Sequence, residues 1–328
     1  MPPFLSLQHL GSNFNSSSAQ SLKLRTLMAG QIARALSVFC VDEVVVFNDG
    51  HIHPQSARHH THHHSSPDPS NNPYLGLNDP SNFLIHLLSY LETPPHLRTL
   101  LFSLEKNLVT AGILPSLDLP HHLRSDEWCD YREGVTLEGN GGEGTKVEAG
   151  LRIPVTVEEE IPAHTRVTLK FDEKARDANL NPTERAICGE AVSPDEPREE
   201  GGYYWGYNVR KASALSDVFT ECTFEGGYDM TIGTSERGVD VEALYSEDEE
   251  QKVRNFKHLL VVFGGVAGLE VAVKNDVELQ KLGVVEARDV FDRWVNVCPG
   301  QGSRTIRTEE AVWIGLMGLR RLVVNNEQ

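Results

Sequence analysis

The 328-residue chain carries 47 acidic against 30 basic side chains, a formal charge of −17, and 39% of its residues are hydrophobic. This is enough apolar material for more than one core, and the charge argues against coating nucleic acid or anionic membrane in bulk, though a local basic groove remains open. Five scattered cysteines with no C-x-x-C pair, no signal-peptide pattern at MPPFLSLQHLG, and a longest apolar run of 11 residues (259–269), about half of the roughly 20 a bilayer span needs, point to a reducing intracellular setting and away from secreted and membrane classes.

Phe4 to Leu10 reads as a strand, and Ser21 to Phe39 as a helix with Leu24, Leu27, Met28, Ile32, Ala35 and Leu36 on its apolar face. Asp42 to Phe47 is a buried strand, and strand, helix, strand is a βαβ opening that predicts a parallel sheet. Residues 48–72 hold seven histidines, from His51 to His64, among Ser, Pro and Asn; they read as a disordered linker, with no metal assigned. Asp79 as N-cap and Pro80 in the first turn start a helix that Pro94-Pro95 ends.

From Gly134 to about Val192 the texture changes to short alternating runs, at 135–137, 153–157, 167–171 and 187–192, separated by Gly-rich or acidic turns. This predicts a small helix-free β-barrel inserted in the α/β domain, which takes residues 1–133 and 201–328 and leaves 134–200 to the barrel. Ser193 to Gly202 is the return linker. Tyr207 to Phe219 is helical in pattern, while 228–233, 259–263 and 290–297 are strands. The acidic run Glu247 to Glu250 is a solvated loop. Thr305 to Val323 is the closing helix, with Glu309 and Glu310 in its first turn and Arg320 and Arg321 in its last, which complements its dipole.

Ligands of open parallel sheets bind at the carboxyl ends of the strands. Three successive strands here end in loops of Gly and small polar residues: TIGTSERG (231–238), VFGGVAGLE (262–270) and NVCPGQGSRT (296–305). Glycines there let backbone groups approach a ligand closely. Neither G-x-x-x-x-G-K-[ST] nor G-x-G-x-x-G with its helix and distant acid is present, so a nucleoside ligand without phosphates fits better, and S-adenosylmethionine is the leading candidate.

The blocks YYWGYNVRKAS (203–213), DMTIGTSERG (229–238), LLVVFGG (259–265) and VNVCPGQGSRTIRTEEA (295–311) resemble the SPOUT class of RNA methyltransferases, in the eukaryotic and archaeal family with a barrel inserted in the catalytic domain. LRTLMAGQIARALSVFCVDEVVVF (24–47), LSYLETPPHLR (88–98) and AGILPSLDLPHH (111–122) fit the same family. The resemblance implies an α/β SPOUT fold with a C-terminal trefoil knot, an inserted small OB-like β-barrel, and S-adenosylmethionine bent in the knot. It further implies a homodimer with RNA between subunits, a heterodimer with a paralogue being the alternative. Large-subunit rRNA or its precursor particle is the implied partner, with methylation at uridine N3 in the nucleolus.

Motif by motif, the resemblance places donor contacts at Thr234, Arg237, Gly264, Gly265, Asn296, Pro299, Gly300, Gln301 and Gly302, with Thr305 starting the helix beneath the methionine end. Methylating uridine N3 requires loss of a proton with a pKa of roughly 9, so an anion-stabilising group or a base is needed. Arg210, in the expected helix, and Arg304 are the candidate catalytic residues, with Arg237 beside them; each could equally serve a salt bridge. Glu270 and Glu309 could act as acid or base, although helix capping accounts for Glu309. Cys298 has no fixed His–Asp pair and reads as packing. The barrel segment is more acidic than basic, with Phe171 its one aromatic, so RNA contact there would rest on residues such as Lys146, Arg152, Arg166 and Lys170, and protein contact is a rival. A catalytically silent ribosome-assembly protein that keeps the same fold is the competing function.

Overall fold

A computed structural model describes residues 4–8, 21–50, 80–139, 144–181, 183–246, 253, 255–265 and 268–326. The His-rich stretch from His51 onward, Asp79 and the acidic run 247–250 lie outside these residues. The chain divides into two compact units: Met1–Ser89 with Lys106–Pro115 and Tyr207–Gln328, and Tyr90–Glu105 with Ser116–Gly206. None of the described helices is long and apolar enough to cross a membrane.

The first unit opens with β1 (Phe4–Gln8), α1 (Leu22–Val38) and β2 (Glu43–Phe47). Ser21 caps α1 by accepting from the Leu24 N–H at 3.2 Å. Its buried face is Thr26, Ala29, Gly30, Ile32, Ala33, Ala35 and Leu36, whereas Leu24 and Leu27 are 47% and 41% exposed, contrary to expectation. Small residues take the inner positions because the packing is close: a Cβ at Gly30 would stand 2.5 Å from Leu114 Cδ2. Next comes α2 (Pro80–Glu92), with proline at the first helical position, where its missing N–H costs nothing. A single turn, α3 (Arg98–Leu101), follows in the second unit.

That unit is built on one sheet of six short strands, β3 (Tyr131–Thr136), β4 (Thr145–Glu148), β5 (Val155–Val157), β6 (Arg166–Lys170), β7 (Ile187–Cys188) and β8 (Glu190–Val192), in the order β7-β5-β4-β3-β6-β8. Its two edge strands are separated in sequence by Gly189 alone, so the ends of the sheet meet and the barrel is nearly closed. Gly189 donates to the Thr156 carbonyl at 3.1 Å, and a Cβ there would press on Phe171 at 3.0 Å. Val147, Val155, Val157, Leu169, Phe171 and Ile187 fill the interior. The sequence reading missed β4, and it missed α4 (Glu173–Leu180), whose N-cap Asp172 accepts from Ala175 N at 2.9 Å. The expected return linker contains α5 (Glu196–Glu199).

The chain re-enters the first unit at β9 (Asn208–Ala212) and α6 (Leu215–Thr220). This corrects the single helix expected over 207–219: β9 is an edge strand paired in parallel with β2, Arg210 opposite Val45. There follow β10 (Met230–Asp240), β11 (His258–Phe263), α7 (Leu269–Asn275), α8 (Val277–Lys281), β12 (Arg293–Asn296) and α9 (Thr308–Asn326). The sheet runs β12-β10-β11-β1-β2-β9, parallel at every pairing. Its buried central strands β2 and β11 match the apolar runs VVVF and LLVVF, with only His258 of the two strands partly exposed. Val45, Phe47, Leu260 and Val262 pack with α7 and α8, and strand alternation turns Val44, Val46, Val261 and Phe263 to the opposite face. On that face α9 approaches closely, since a Cβ at Gly315 would stand 2.7 Å from Phe263 Cε1. Because α9 starts at Thr308 and runs to Asn326, Thr305 lies before the helix and Arg320 and Arg321 fall short of its last turn.

Candidate functional site

A cavity of about 620 Å³ opens at the carboxyl ends of β10, β11 and β12, against the first turn of α9. Strand β10 does not stop at Gly233. It bulges over 235–238 and re-pairs with β12 at Val239. Gly238 permits this descent, because a Cβ there would fall 2.3 Å from the Val295 carbonyl carbon. Asn296 holds the bulge: its Nδ2 donates to the Glu236 carbonyl at 3.0 Å, and its Oδ1 accepts from Cys298 N at 3.0 Å. Thr234 donates its hydroxyl to the Val262 carbonyl at 2.9 Å and so ties β10 to β11. At Gly264 a Cβ would come 3.0 Å from Leu269 N, and Gly268 adopts φ +77, so the second loop folds tightly onto the start of α7.

Of the residues expected at the site, Thr234, Arg237, Gly264, Gly265, Asn296, Gln301, Arg304 and Thr305 line this cavity. Pro299, Gly300 and Gly302 belong to the third loop but are not in the lining. Gly300 has φ +70, and a Cβ at Gly302 would meet nothing within 4 Å. Arg210 is outside the lining as well. Its Nε donates to Glu43 Oε1 at 3.0 Å, and its Nη2 donates to the Val218 carbonyl and to the Tyr228 hydroxyl, both at 3.2 Å. Tyr228 in turn donates to Glu43 Oε2, and burial together with Glu43 pushes its hydroxyl well above the usual tyrosine range.

The expected set omitted Met28, Glu236, Gly268 and Arg307, all of which line the cavity. Met28 comes from α1, which no local motif links to the loops. Formal charges in the lining alternate: Glu236, Glu270 and Glu309 against Arg237, Arg304 and Arg307. Arg237 and Glu270 stand 3.4 Å apart, with 74% and 38% of their side chains exposed, so that pair contributes little. Glu309 differs from the others. It is 4% exposed, its Oε1 lies 3.9 Å from Arg307 Nη1, and its Oε2 has no hydrogen-bond partner among the described residues. An orphaned carboxylate oxygen among glycines fits a ligand that brings positive charge and N–H or O–H donors, as S-adenosylmethionine and a nucleobase both do.

In the second unit the cations considered for RNA contact are engaged internally. Arg166 donates to Glu92 at 2.7 and 3.0 Å and to Glu133 at 2.6 Å. Arg152 donates to the carbonyls of Ala178, Asn181 and Glu184 beside the end of α4. Lys170 is held by Glu196 and Glu200, and Lys146 by the Thr156 hydroxyl at 2.7 Å.

Fold and cavity together define an α/β protein with a pocket at the carboxyl ends of parallel strands. The chain belongs to an RNA methyltransferase family: the profile of the family described as "Putative RNA methyltransferase" matches residues 13–319. It is 41% identical to the 28S rRNA (uridine-N(3))-methyltransferase of Homo sapiens over 308 residues, which cover 92% of this chain and 74% of that protein. It is 42% identical to the protein of the same name from Drosophila melanogaster over 320 residues, covering 97% of this chain and 62% of the relative. Family membership implies S-adenosylmethionine as methyl donor.

Proposed function

We propose that this chain transfers a methyl group from S-adenosylmethionine to N3 of a uridine in large-subunit ribosomal RNA. The observation that carries this reading is the glycine-lined cavity with its unpaired buried carboxylate, in a chain more than two-fifths identical to uridine-N3 methyltransferases over nearly its whole length. The donor supplies an electrophilic methyl group, and the protein must orient it, exclude water and deal with the N3 proton. Thr234, Gly264, Gly265, Asn296, Gln301 and Thr305 are the donor contacts that the lining supports, with Arg237 at the mouth. Pro299, Gly300 and Gly302 shape the loop that carries Gln301. Arg304 takes the anion-stabilising role in preference to Arg210, which is outside the lining and whose Nε and Nη2 are committed to Glu43, Tyr228 and the Val218 carbonyl.

The proposal extends to architecture. The α/β part, expected over 1–133 and 201–328, is a SPOUT domain with a C-terminal trefoil knot, and the barrel expected over 134–200, whose first strand begins at Tyr131, is an OB-like insert. The order β12-β10-β11 supports this, because the chain leaving β11 must cross β10 to place β12 on its far side. A homodimer with RNA between subunits, acting in the nucleolus, completes the reading. A silent ribosome-assembly protein is the second reading. Of the barrel cations only Arg166 is spent on a buried ion-pair cluster, while Lys146 and Arg152 remain exposed, so the barrel could meet RNA or protein, which either reading accommodates.

The test is to incubate the purified chain with ribosomal RNA and methyl-labelled donor, then digest and separate the nucleosides. Label in N3-methyluridine is expected. Donor binding without transfer on naked rRNA and on precursor particles would favour the silent reading, and failure to bind the donor would refute methyl transfer.

A further inference from the structure

Glu309 sits in the first turn of α9, where a negative charge suits the helix dipole, but the dipole does not require its carboxylate to be buried. The cap at the start of α9 is made by its neighbour: Glu310 Oε2 accepts from Arg307 N at 3.0 Å. Glu309 instead lines the cavity at 4% exposure, with Oε2 unpartnered among the described residues and only the long 3.9 Å approach of Arg307 to Oε1. A buried carboxylate without a donor is costly, and of the buried unpartnered side chains among the described residues Glu309 is the one that lines the cavity, where a ligand can supply the donor.

We propose that Glu309 is the general base that takes the N3 proton from the target uridine; this rests on the methyl transfer proposed above. A uracil ring presents one N–H between two carbonyl oxygens. The complementary site is one acceptor flanked by donors, and Glu309 with Arg304 and Arg307 in the same lining supplies that set. Cytosine would turn a bare N3 lone pair toward the carboxylate, and repulsion would reject it. In the step itself the N3–H bond breaks and the proton passes to the Glu309 carboxylate. The electron pair left on N3 forms the new bond to the methyl carbon as the carbon–sulfur bond breaks, and that pair stays on sulfur as a neutral thioether. Glu309 afterwards gives its proton to water. The charged groups around this carboxylate are Glu236 and Arg237 from the bulge, Glu270 from α7, Arg304 and Arg307 from the segment before α9, and Glu310 on its own helix.

The experiment compares the full chain with its Glu309→Gln variant, which keeps the side-chain shape and removes the base. Donor affinity is measured by calorimetry. Single-turnover methyl transfer is measured on an RNA fragment carrying the target uridine, and on the same fragment with 5-fluorouridine there, whose N3–H is more acidic. Donor affinity should stay within about twofold, transfer at pH 7 should fall about a hundredfold on uridine, and the loss should shrink to about tenfold on 5-fluorouridine, because a more acidic N–H depends less on a base. A loss of donor affinity matching the loss of rate would make Glu309 a donor contact. An equal loss on both substrates would make it a positioning residue, and wild-type transfer by the variant would leave it no role; each result overturns the assignment. Glu309→Asp, which draws the carboxylate back by one methylene, serves if the glutamine variant does not fold: its loss on uridine should also shrink on 5-fluorouridine, and an equal loss on both substrates would equally refute the base. Absence of transfer by the wild-type chain on any RNA would refute the proposed reaction, and the assignment with it.

Discussion

Replacing Arg166 by Met would strand two buried carboxylates in the second unit. Their side chains are 9% exposed at Glu92 and 4% at Glu133, and Arg166 reaches both. Burial alone would raise the Glu92 carboxyl, but Arg166 and then His121 hold it at about 2, against an ordinary 4.5. That depression corresponds to about 3 kcal/mol, in line with the roughly 3–5 kcal/mol lost when one partner of a buried ion pair is removed. A depressed carboxyl contributes stability that is fully present above pH 4.5 and is lost as the pH falls toward 2. The variant lacks this contribution, so the gap from wild type should be about 3–5 kcal/mol at pH 7 and should narrow toward pH 3. Urea unfolding of the full chain followed by tryptophan fluorescence reads it, since Trp205 donates its indole N–H to Glu133 at 2.7 Å within this cluster. A gap under about 1 kcal/mol at pH 7, or one that does not change with pH, would refute the reasoning.

His122 is held down to about 3, by burial first and then by His121, so it stays neutral in the fold where an unfolded imidazole would take a proton. Stability should therefore fall as the pH drops from 6.5 toward 3, and His122→Gln should flatten the decline in thermal midpoint between pH 7 and 5. Gly315→Ala would push a Cβ to 2.7 Å from the Phe263 ring; destabilisation of about 1–3 kcal/mol is expected, and donor affinity should weaken with it because Phe263 lines the cavity. Gly302→Val enters open space and should melt like the wild type; if the third loop cradles the donor, calorimetry on this folded variant should find binding lost.

The position of the cavity was legible because three glycine-bearing loops follow three apolar runs, and parallel sheets bind ligands at that edge. Eight of the expected lining residues meet there. What local pattern could not supply was partnership across the sequence. Asn208–Ala212 looks helical until β2, more than 160 residues earlier, offers it an edge to pair with, and that pairing commits Arg210 to Glu43. Leu24 and Leu27 have the apolar spacing of a core face, yet α1 buries Thr26, Ala29 and Gly30 in that stretch, and Leu114 packs so near that no side chain fits at Gly30. The Asp172 cap was a readable signal for α4 that the strand texture around it masked. Glu309 and Glu310 are indistinguishable in sequence, and only the capping bond to Arg307 N separates the helix terminator from the cavity acid.

The most direct test of the central claim is a map of modified nucleotides in large-subunit rRNA from cells with and without this protein. Loss of N3-methylation at a discrete uridine, restored by the wild-type chain but not by Glu309→Gln, is the predicted result. An unchanged map, with ribosomal precursors accumulating all the same, would contradict it and leave the chain an assembly factor.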